Sequence, residues 1–554
     1  MNEDLSGIFK PEAKTIRKIF GDSDSYYIIP DYQRPYSWEN EHIEQLWDDI
    51  VSAMESGEEM YFLGPIILIK TKEGFEVVDG QQRLITLTIL FCVLRDLYFK
   101  EDSSIINSIK SLIDQKYRLR LIIQPHYQNK FEEEILKKIN FPQKTLSLSE
   151  RKKNKFINAA LIFKDKLEEL ENDEKRKELV DYILDKIVMI TIICSEKSYA
   201  IKLFQILNAR GLDLSPADLI KSYLYGQCDE DKRCQFIATW RQIEDLSDQI
   251  EESITNLLTY YEYFLLAENP RKSLYEELEK QFKNKDPNEI VYNFKNFVEH
   301  FKNIYEEESK LIFSFNYLPN QVFWKAILTT AKNEQYVNYD ELCKELQRMY
   351  YCYWIAGYTT SKVKQLSFNI IKWIKQKKDI DFIKNEIEKK LKEHNVISRM
   401  TENLNNDVYG QSWLKPILIL IEYNQTDESK ISFINADKRL HIDHILPEKW
   451  DSITEWKELW NKEEADTYLN KLGNLTLLSG KKNIAQRNDP PSKKKEMYEK
   501  GHGGKTAFEI SKRVIEALKN GWRKEDVDER HRWLIGEINS IFGLNIKGEI
   551  KNAN

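Results

Sequence analysis

Cysteine is scarce and never set at metal-ligand spacing. The 554 residues hold six, at positions 92, 194, 228, 234, 343 and 352. None forms C-x-x-C, which argues against a zinc ribbon or a disulfide framework. Buried free thiols in a reducing compartment are expected instead. Glycine (19) and proline (14) are also few. With the long Lys/Glu-rich amphipathic runs, their scarcity points to a mostly helical chain. No apolar run reaches the ~18 residues of a membrane span. The start, M-N-E-D-L-S-G-I-F, has neither a basic n-region nor an apolar h-region. A cytoplasmic protein that crosses no membrane is expected. Excess positive charge is missing too: the net charge is −7. A polyanion could therefore be held only through a local basic patch. No internal repeat shows at a fixed period.

What is present fits a large globular protein. Apolar residues make up 41% and charged residues 31%. A prior of roughly 150 residues per domain suggests about three or four units. Residues 25–30 begin as a short strand that breaks at Pro30. Ser37 caps a helix whose Trp38, Ile43, Leu46, Trp47 and Ile50 recur at helical spacing. Phe62–Lys70 and Phe75–Asp79 flank T-K-E-G and read as a hairpin. A buried helix follows at Leu84–Leu97. Residues 100–185 read as charged helices, and Ile187–Cys194 as a central strand. A helix ends near Asn208–Gly211, and Ser215-Pro216 caps the next. From about 229 to 400 only amphipathic helices with aromatic faces are expected. Two more helices are expected at about 505–520 and 524–541.

The densest chemistry lies between His441 and Asn488. H-I-D-H-I-L-P crowds His441, Asp443 and His444 into four positions. L-G-N-L-T-L-L-S-G-K-K-N follows and carries Asn474 and Asn483. A carboxylate and an amide oxygen suit a hard cation, Mg²⁺ or Mn²⁺. A neutral imidazole suits a general base near pH 7. Neighbours on an extended chain point to opposite faces. Asp443 can then face a metal while His444 faces a scissile phosphate, with Asn483 completing the metal shell. His444 would deprotonate the attacking water. A basic segment trails the site, with Arg487 and Ser492-Lys493-Lys494-Lys495.

The N-terminal half carries D-G-Q-Q-R at 79–83. Arg83 offers a planar fork for phosphate, and Gln81 and Gln82 offer amides. Gly80 permits close approach, and Asp79 could hold Mg²⁺ or position water. Strand, Gly-containing turn, then helix is a geometry that binds anions. Taken alone, the same residues also read as a capped helix start with Arg83 in a salt bridge. The G-H-G-G-K-T at 501–506 is no P-loop, because Glu499 stands at the first glycine position.

Three motifs occur in order: P-D-Y-Q-R-P-Y-S-W, D-G-Q-Q-R-L-I-T-L and F-Q-I-L-N-A-R-G-L-D-L-S-P-A-D-L-I-K. Together they resemble the ParB/sulfiredoxin-like GmrS half of GmrSD-type, modification-dependent (type IV) restriction enzymes. D-H-I-x-P, then G-N-L-T-L-L and a later Asn, resembles the HNH module at the C-terminus of that family. The resemblance implies Asp443 and Asn483 as metal ligands, His444 as base and Asn474 as a brace counted among the catalytic residues. The role of His441 stays open. It implies binding and hydrolysis of an NTP (GTP, UTP or ATP) at Asp79, Gly80, Gln81, Gln82 and Arg83, with Asn208, Arg210 and Lys221 closing the pocket. Tyr32, Gln33 and Arg34 would contribute to that pocket or to DNA. Lys482, Arg487 and Lys493 are the remaining candidate DNA contacts.

The expected fold class is α+β and predominantly helical. It comprises a ParB/sulfiredoxin-like α/β domain (1–228), a helical connector (229–400) and a ββα-metal HNH domain (401–554). The expected function is NTP-dependent or NTP-regulated cleavage of modified phage DNA. The expected partners are double-stranded DNA and a nucleotide, with a homodimer left open. A phosphorothioate-sensing nickase of the same family and a non-cleaving DNA-binding regulator are the alternatives.

Overall fold

A computed structural model describes residues 9–22, 25–98, 104–115, 118–142, 150–151, 154–170, 172–195, 200, 203, 215–427, 432–479, 489–500 and 508–550. Its strands are β1 (Phe9–Thr15), β2 (Tyr27–Ile28), β3 (Tyr61–Lys70), β4 (Phe75–Asp79), β5 (Asp114–Gln115), β6 (Arg118–Leu119), β7 (Leu121–Ile122), β8 (Ile187–Cys194), β9 (Leu440–His444) and β10 (Leu475–Ser479). Helices dominate the rest, so the class is α+β, predominantly helical, with a small mixed sheet in the N-terminal half.

That sheet has the order β1-β8-β3-β4-β2-β7. The β-branched run of β8 lies inside it, antiparallel to β1 and parallel to β3. β3 and β4 form the antiparallel hairpin around T-K-E-G. β2 runs parallel to both β4 and β7. Ile66, Ile67 and Leu68 of β3 and Val77 and Val78 of β4 are buried. The helix Gln81–Leu97 packs below, and every residue from Leu84 to Leu94 is buried. An apolar surface on all sides marks a helix enclosed by its neighbours. The edge strand β1 was not foreseen. Its sequence, F-K-P-E-A-K-T, is polar and holds Pro11, which a sheet accepts at an edge. The stretch 100–185, expected to be helical, also contains β5, β6 and β7.

The chain divides into two compact units. One comprises residues 1–241 with 278–291, and the other 242–277 with 292–554. This differs from the three-part division expected, because helices between 229 and 400 are shared out between the two. In the second unit the aromatic faces pack inward: Tyr350, Tyr351 and Tyr353 of the helix Tyr339–Ile355 are buried. The expected 505–520 helix is two short pieces, Glu509–Lys512 and Ile515–Lys519. Five of the six cysteines are buried and all are free, but Cys234 is exposed. Among the described residues, no helix is long and apolar enough to cross a membrane.

Candidate active site

In the second unit, β9 and β10 pair antiparallel, with Asp443 opposite Thr476 and His444 opposite Leu475. The strand ends at His444, and Ile445 N donates to Asn474 O at 2.8 Å. Asn474 is fully buried. Its Oδ1 accepts from Leu446 N at 2.8 Å and from Trp522 Nε1 at 3.1 Å. Its Nδ2 donates to Leu446 O at 3.1 Å and Leu469 O at 2.8 Å. Its polar capacity is thus spent on the turn after His444 and on tying that turn to Leu469 and Trp522. These four bonds hold the turn in place and leave no polar atom of Asn474 free.

His444 and Asp443 leave the strand end in different directions. His444 Nε2 lies 3.1 Å from Asn470 Oδ1, and Nδ1 lies 4.0 Å from Glu448 Oε1. The Tyr409 ring covers the imidazole, with centroids 4.3 Å apart. Burial holds His444 below the ordinary imidazole value, against the upward pull of the Asn470 hydrogen bond and the Glu448 and Asp443 charges. The ring is therefore neutral at pH 7, as a base must be. Asp443 Oδ2 accepts from Lys494 Nζ at 2.9 Å and from the Tyr498 hydroxyl. Lys494 also donates to His444 O. Burial, then the Asp443 charge, pushes the Tyr498 phenol far above its usual range, so it remains a donor.

With Oδ2 clamped, Oδ1 is the oxygen Asp443 can offer a cation. No cluster of three or more His, Cys, Asp or Glu that could hold a metal occurs among the described residues. One carboxylate oxygen with few protein partners fits a hard cation that keeps its waters and shares a phosphate. It does not fit a closed zinc site. His441 lies two residues back on β9, opposite Leu478. Lys493 is exposed, its nearest acid being Asp489 at 4.0 Å. Asn483, Lys482 and Arg487 lie outside the described residues, as do Asn208, Arg210 and the 501–506 segment.

In the first unit, Asp79 ends β4 and Gly80 turns the chain with φ +91°. A Cβ at Gly80 would meet Ile66, so the left-handed turn and the close approach both require glycine. No side chain caps the helix that starts at Gln81. Gln81 is 5% exposed, and its Oε1 has no partner among the described residues. Gln82 is committed elsewhere: Oε1 accepts from Ser37 N at 2.8 Å and Nε2 donates to Pro35 O at 3.2 Å. Arg83 Nη1 donates to Leu63 O at 2.9 Å, and Nη2 stands 3.7 Å from Asp79 Oδ2.

The first two N-terminal motifs and the described end of the third, residues 215–221, meet around this corner. Tyr32 is buried, stacks on Tyr225 at 4.6 Å and donates to Glu76 Oε1 at 2.8 Å. Gln33 is buried and donates to Val78 O at 2.7 Å. Arg34 reaches Asp218 at 3.8 Å, and Lys221 is buried, 5.7 Å from the Trp240 ring. Tyr32 and Gln33 thus fasten a loop to the sheet. The Tyr32 hydroxyl and the Gln33 amide nitrogen both donate to the protein.

Two family models match the chain. The model described as "GmrSD restriction endonuclease, N-terminal domain" matches residues 16–225. The model described as "GmrSD restriction endonucleases, C-terminal domain" matches residues 393–537. The chain belongs to the GmrSD restriction endonucleases. No curated protein matches it. As a restriction endonuclease it is a nuclease whose substrate is DNA. The N-terminal match covers the converging motifs, and the C-terminal match covers Tyr409, Asp443, His444 and Lys494.

Several residues of the GmrSD C-terminal corner escaped the sequence reading. Lys494 looked like one of three surface lysines, yet it is fully buried. Its i,i+4 spacing to Tyr498 was the available signal, since both then share a helix face. Asn470 lies in the turn before the 3₁₀ segment Leu472–Asn474, where no helical spacing marks it. Glu448 follows His444 by four. Tyr409 had no local signal, because only the folded chain brings it to the imidazole.

Proposed function

We propose that the C-terminal corner is an HNH-type, Mg²⁺-dependent DNA nuclease site. The N-terminal corner binds and hydrolyses an NTP that controls cleavage, and the target is foreign DNA with modified bases. One observation carries the nuclease reading: a neutral, buried His444 beside a clamped Asp443 at one strand end. With Asn470 Oδ1 accepting from Nε2–H, the Nδ1 lone pair is free to take a proton. Water attacks the scissile phosphorus as Nδ1 takes its proton. The P–O bond to the leaving oxygen breaks, and that oxygen is protonated from solvent. The Glu448 carboxylate near Nδ1 then stabilises the imidazolium. Tyr409 and the burial of the ring keep His444 neutral between turnovers. Asp443 Oδ1 and Asn483 would hold the divalent cation, which when bound neutralises charge on the phosphate and the leaving oxygen.

The nucleotide reading rests on the uncapped helix start at Gln81 and the nearby Arg83 for phosphate, and on the unpartnered Gln81 Oε1 as an acceptor for a ribose hydroxyl or a base N–H. Helix N-termini favour phosphates. Base modification as the trigger, and phage as its source, come from the family likeness. The test is digestion of a panel of phage DNAs with different base modifications, with and without Mg²⁺ and each NTP. Cleavage of plain and modified DNA alike, with no NTP effect, overturns the regulatory part. Cleavage unaffected by removing divalent cations overturns the nuclease assignment.

A further inference from the structure

Tyr409 is an exposed aromatic ring in an acidic cleft. It is 42% exposed, and its other side lies against His444. Together with Ile442, Asp443, His444 and Glu448 it lines the small cleft at the end of β9. The ring does not sit on a loose loop. Asp407 pairs with Lys471 at 3.1 Å, and Val408 N donates to Asn470 O at 2.9 Å. Val408 and Trp413 are buried on either side of it. Gly410 turns the chain with φ +85°, a conformation that suits glycine. The segment that anchors Tyr409 is therefore the one whose Asn470 orients His444.

The local charge decides what such a ring can do. Asp443 and Glu448 are both acidic, and the nearby Lys494 is committed to Asp443. Phosphate attraction contributes little at the cleft itself. An aromatic face needs no charge to hold DNA, because every base offers a π-face.

We propose that Tyr409 is a stacking subsite for a nucleobase next to the scissile phosphate, engaged when that base is unstacked from the duplex. The base packs on the exposed part of the ring while its phosphate lies beside His444. This assignment rests on His444 being the nuclease base, and the two can fail separately.

The test uses the full chain in EDTA, with fluorescence anisotropy on two probes. One is a thymidine 20-mer, and the other is an abasic 20-mer with the same phosphates. Tyr409→Leu keeps an apolar cover on His444 but loses the ring. It should weaken binding of the thymidine probe about 5- to 150-fold, the span measured for one base–aromatic stack. Binding of the abasic probe should not move, and Tyr409→Phe should restore the affinity. Unchanged thymidine binding by Tyr409→Leu overturns the subsite. So does an equal loss on both probes, or a fall in turnover alone, which would make Tyr409 only a cover. Cleavage is read separately in Mg²⁺, and there His444→Ala separates the readings: cleavage surviving that change sinks the nuclease assignment and leaves the stacking result to stand on its own.

Discussion

The two candidate corners are built alike and used differently. Each sets an aspartate at the end of a strand, Asp79 as the last residue of β4 and Asp443 as the last but one of β9. In the first, most of the polar groups serve the chain: Gln82 holds the 35–37 loop, and Arg83 holds Leu63 and faces Asp79. In that corner Gln81 Oε1 has no hydrogen-bond partner among the described residues. In the second, the commitments lie behind the reacting groups. Lys494 and Tyr498 take one oxygen of Asp443, and Asn470 takes one nitrogen of His444. The free atoms, Oδ1 and Nδ1, are left for chemistry. A corner that clamps half of each group is suited to holding geometry through a reaction.

The largest expected effect breaks the second corner. His444→Ala should lower the cleavage rate by about 10²–10⁴-fold, the usual contribution of a general base. The thermal midpoint should hold. Nicking at the wild-type rate in gel assays would show that the base lies elsewhere. Next is the clamp. Lys494→Met leaves the buried Asp443 carboxylate without its cation and should cost about 3–5 kcal/mol in urea unfolding. Stability unchanged by that substitution would mean that the pair is not buried as described.

How far these corners could be read from sequence depended on where their partners lay. The β3–β4 hairpin, the helix after Gly80 and the strand β8 were legible because periodicity and turn residues are local signals. The polar strand β1 was not, since its partner β8 lies some 180 residues away and Pro11 argued against a strand. Asp443 and His444 stood out by spacing. Lys494 did not, because three lysines in a row look solvated until packing removes one from water. Tyr32 and Gln33 show the converse. Polar residues inside a recognisable motif invite a ligand, while their bonds to Glu76 and Val78 appear only in the folded chain.

A third effect is pH dependence in the nuclease unit. His531 is fully buried, and its Nε2 lies 2.8 Å from Asn405 Oδ1. Burial, then the Lys471 and Arg532 charges, lowers its pKa to about 4. Between about pH 6.5 and 4 the unfolded chain takes up a proton that the folded chain refuses. Stability is therefore complete above about pH 6.5 and falls as the pH drops towards 4, by up to about 3 kcal/mol. His531→Gln should flatten that slope in urea midpoints measured at pH 7 and 5. An equal slope in the variant would assign the loss to other groups.

The smallest effect sharpens the first corner. Gln81 Oε1 is buried and lacks a partner among the described residues, and leaving such an atom unpaired costs about 1–3 kcal/mol. A purely structural residue in that place is better replaced by an apolar one. Gln81→Leu should therefore leave the thermal midpoint equal or higher. If the amide oxygen serves a nucleotide by accepting from a ribose hydroxyl or a base N–H, the same change should weaken NTP binding about 2- to 10-fold, which corresponds to one lost neutral hydrogen bond. Isothermal calorimetry with each NTP and a melting curve read both quantities on one sample. Higher stability with weaker binding means that the corner carries strain for its ligand. Higher stability with unchanged binding makes Gln81 a packing residue and moves the nucleotide site away from Asp79–Arg83.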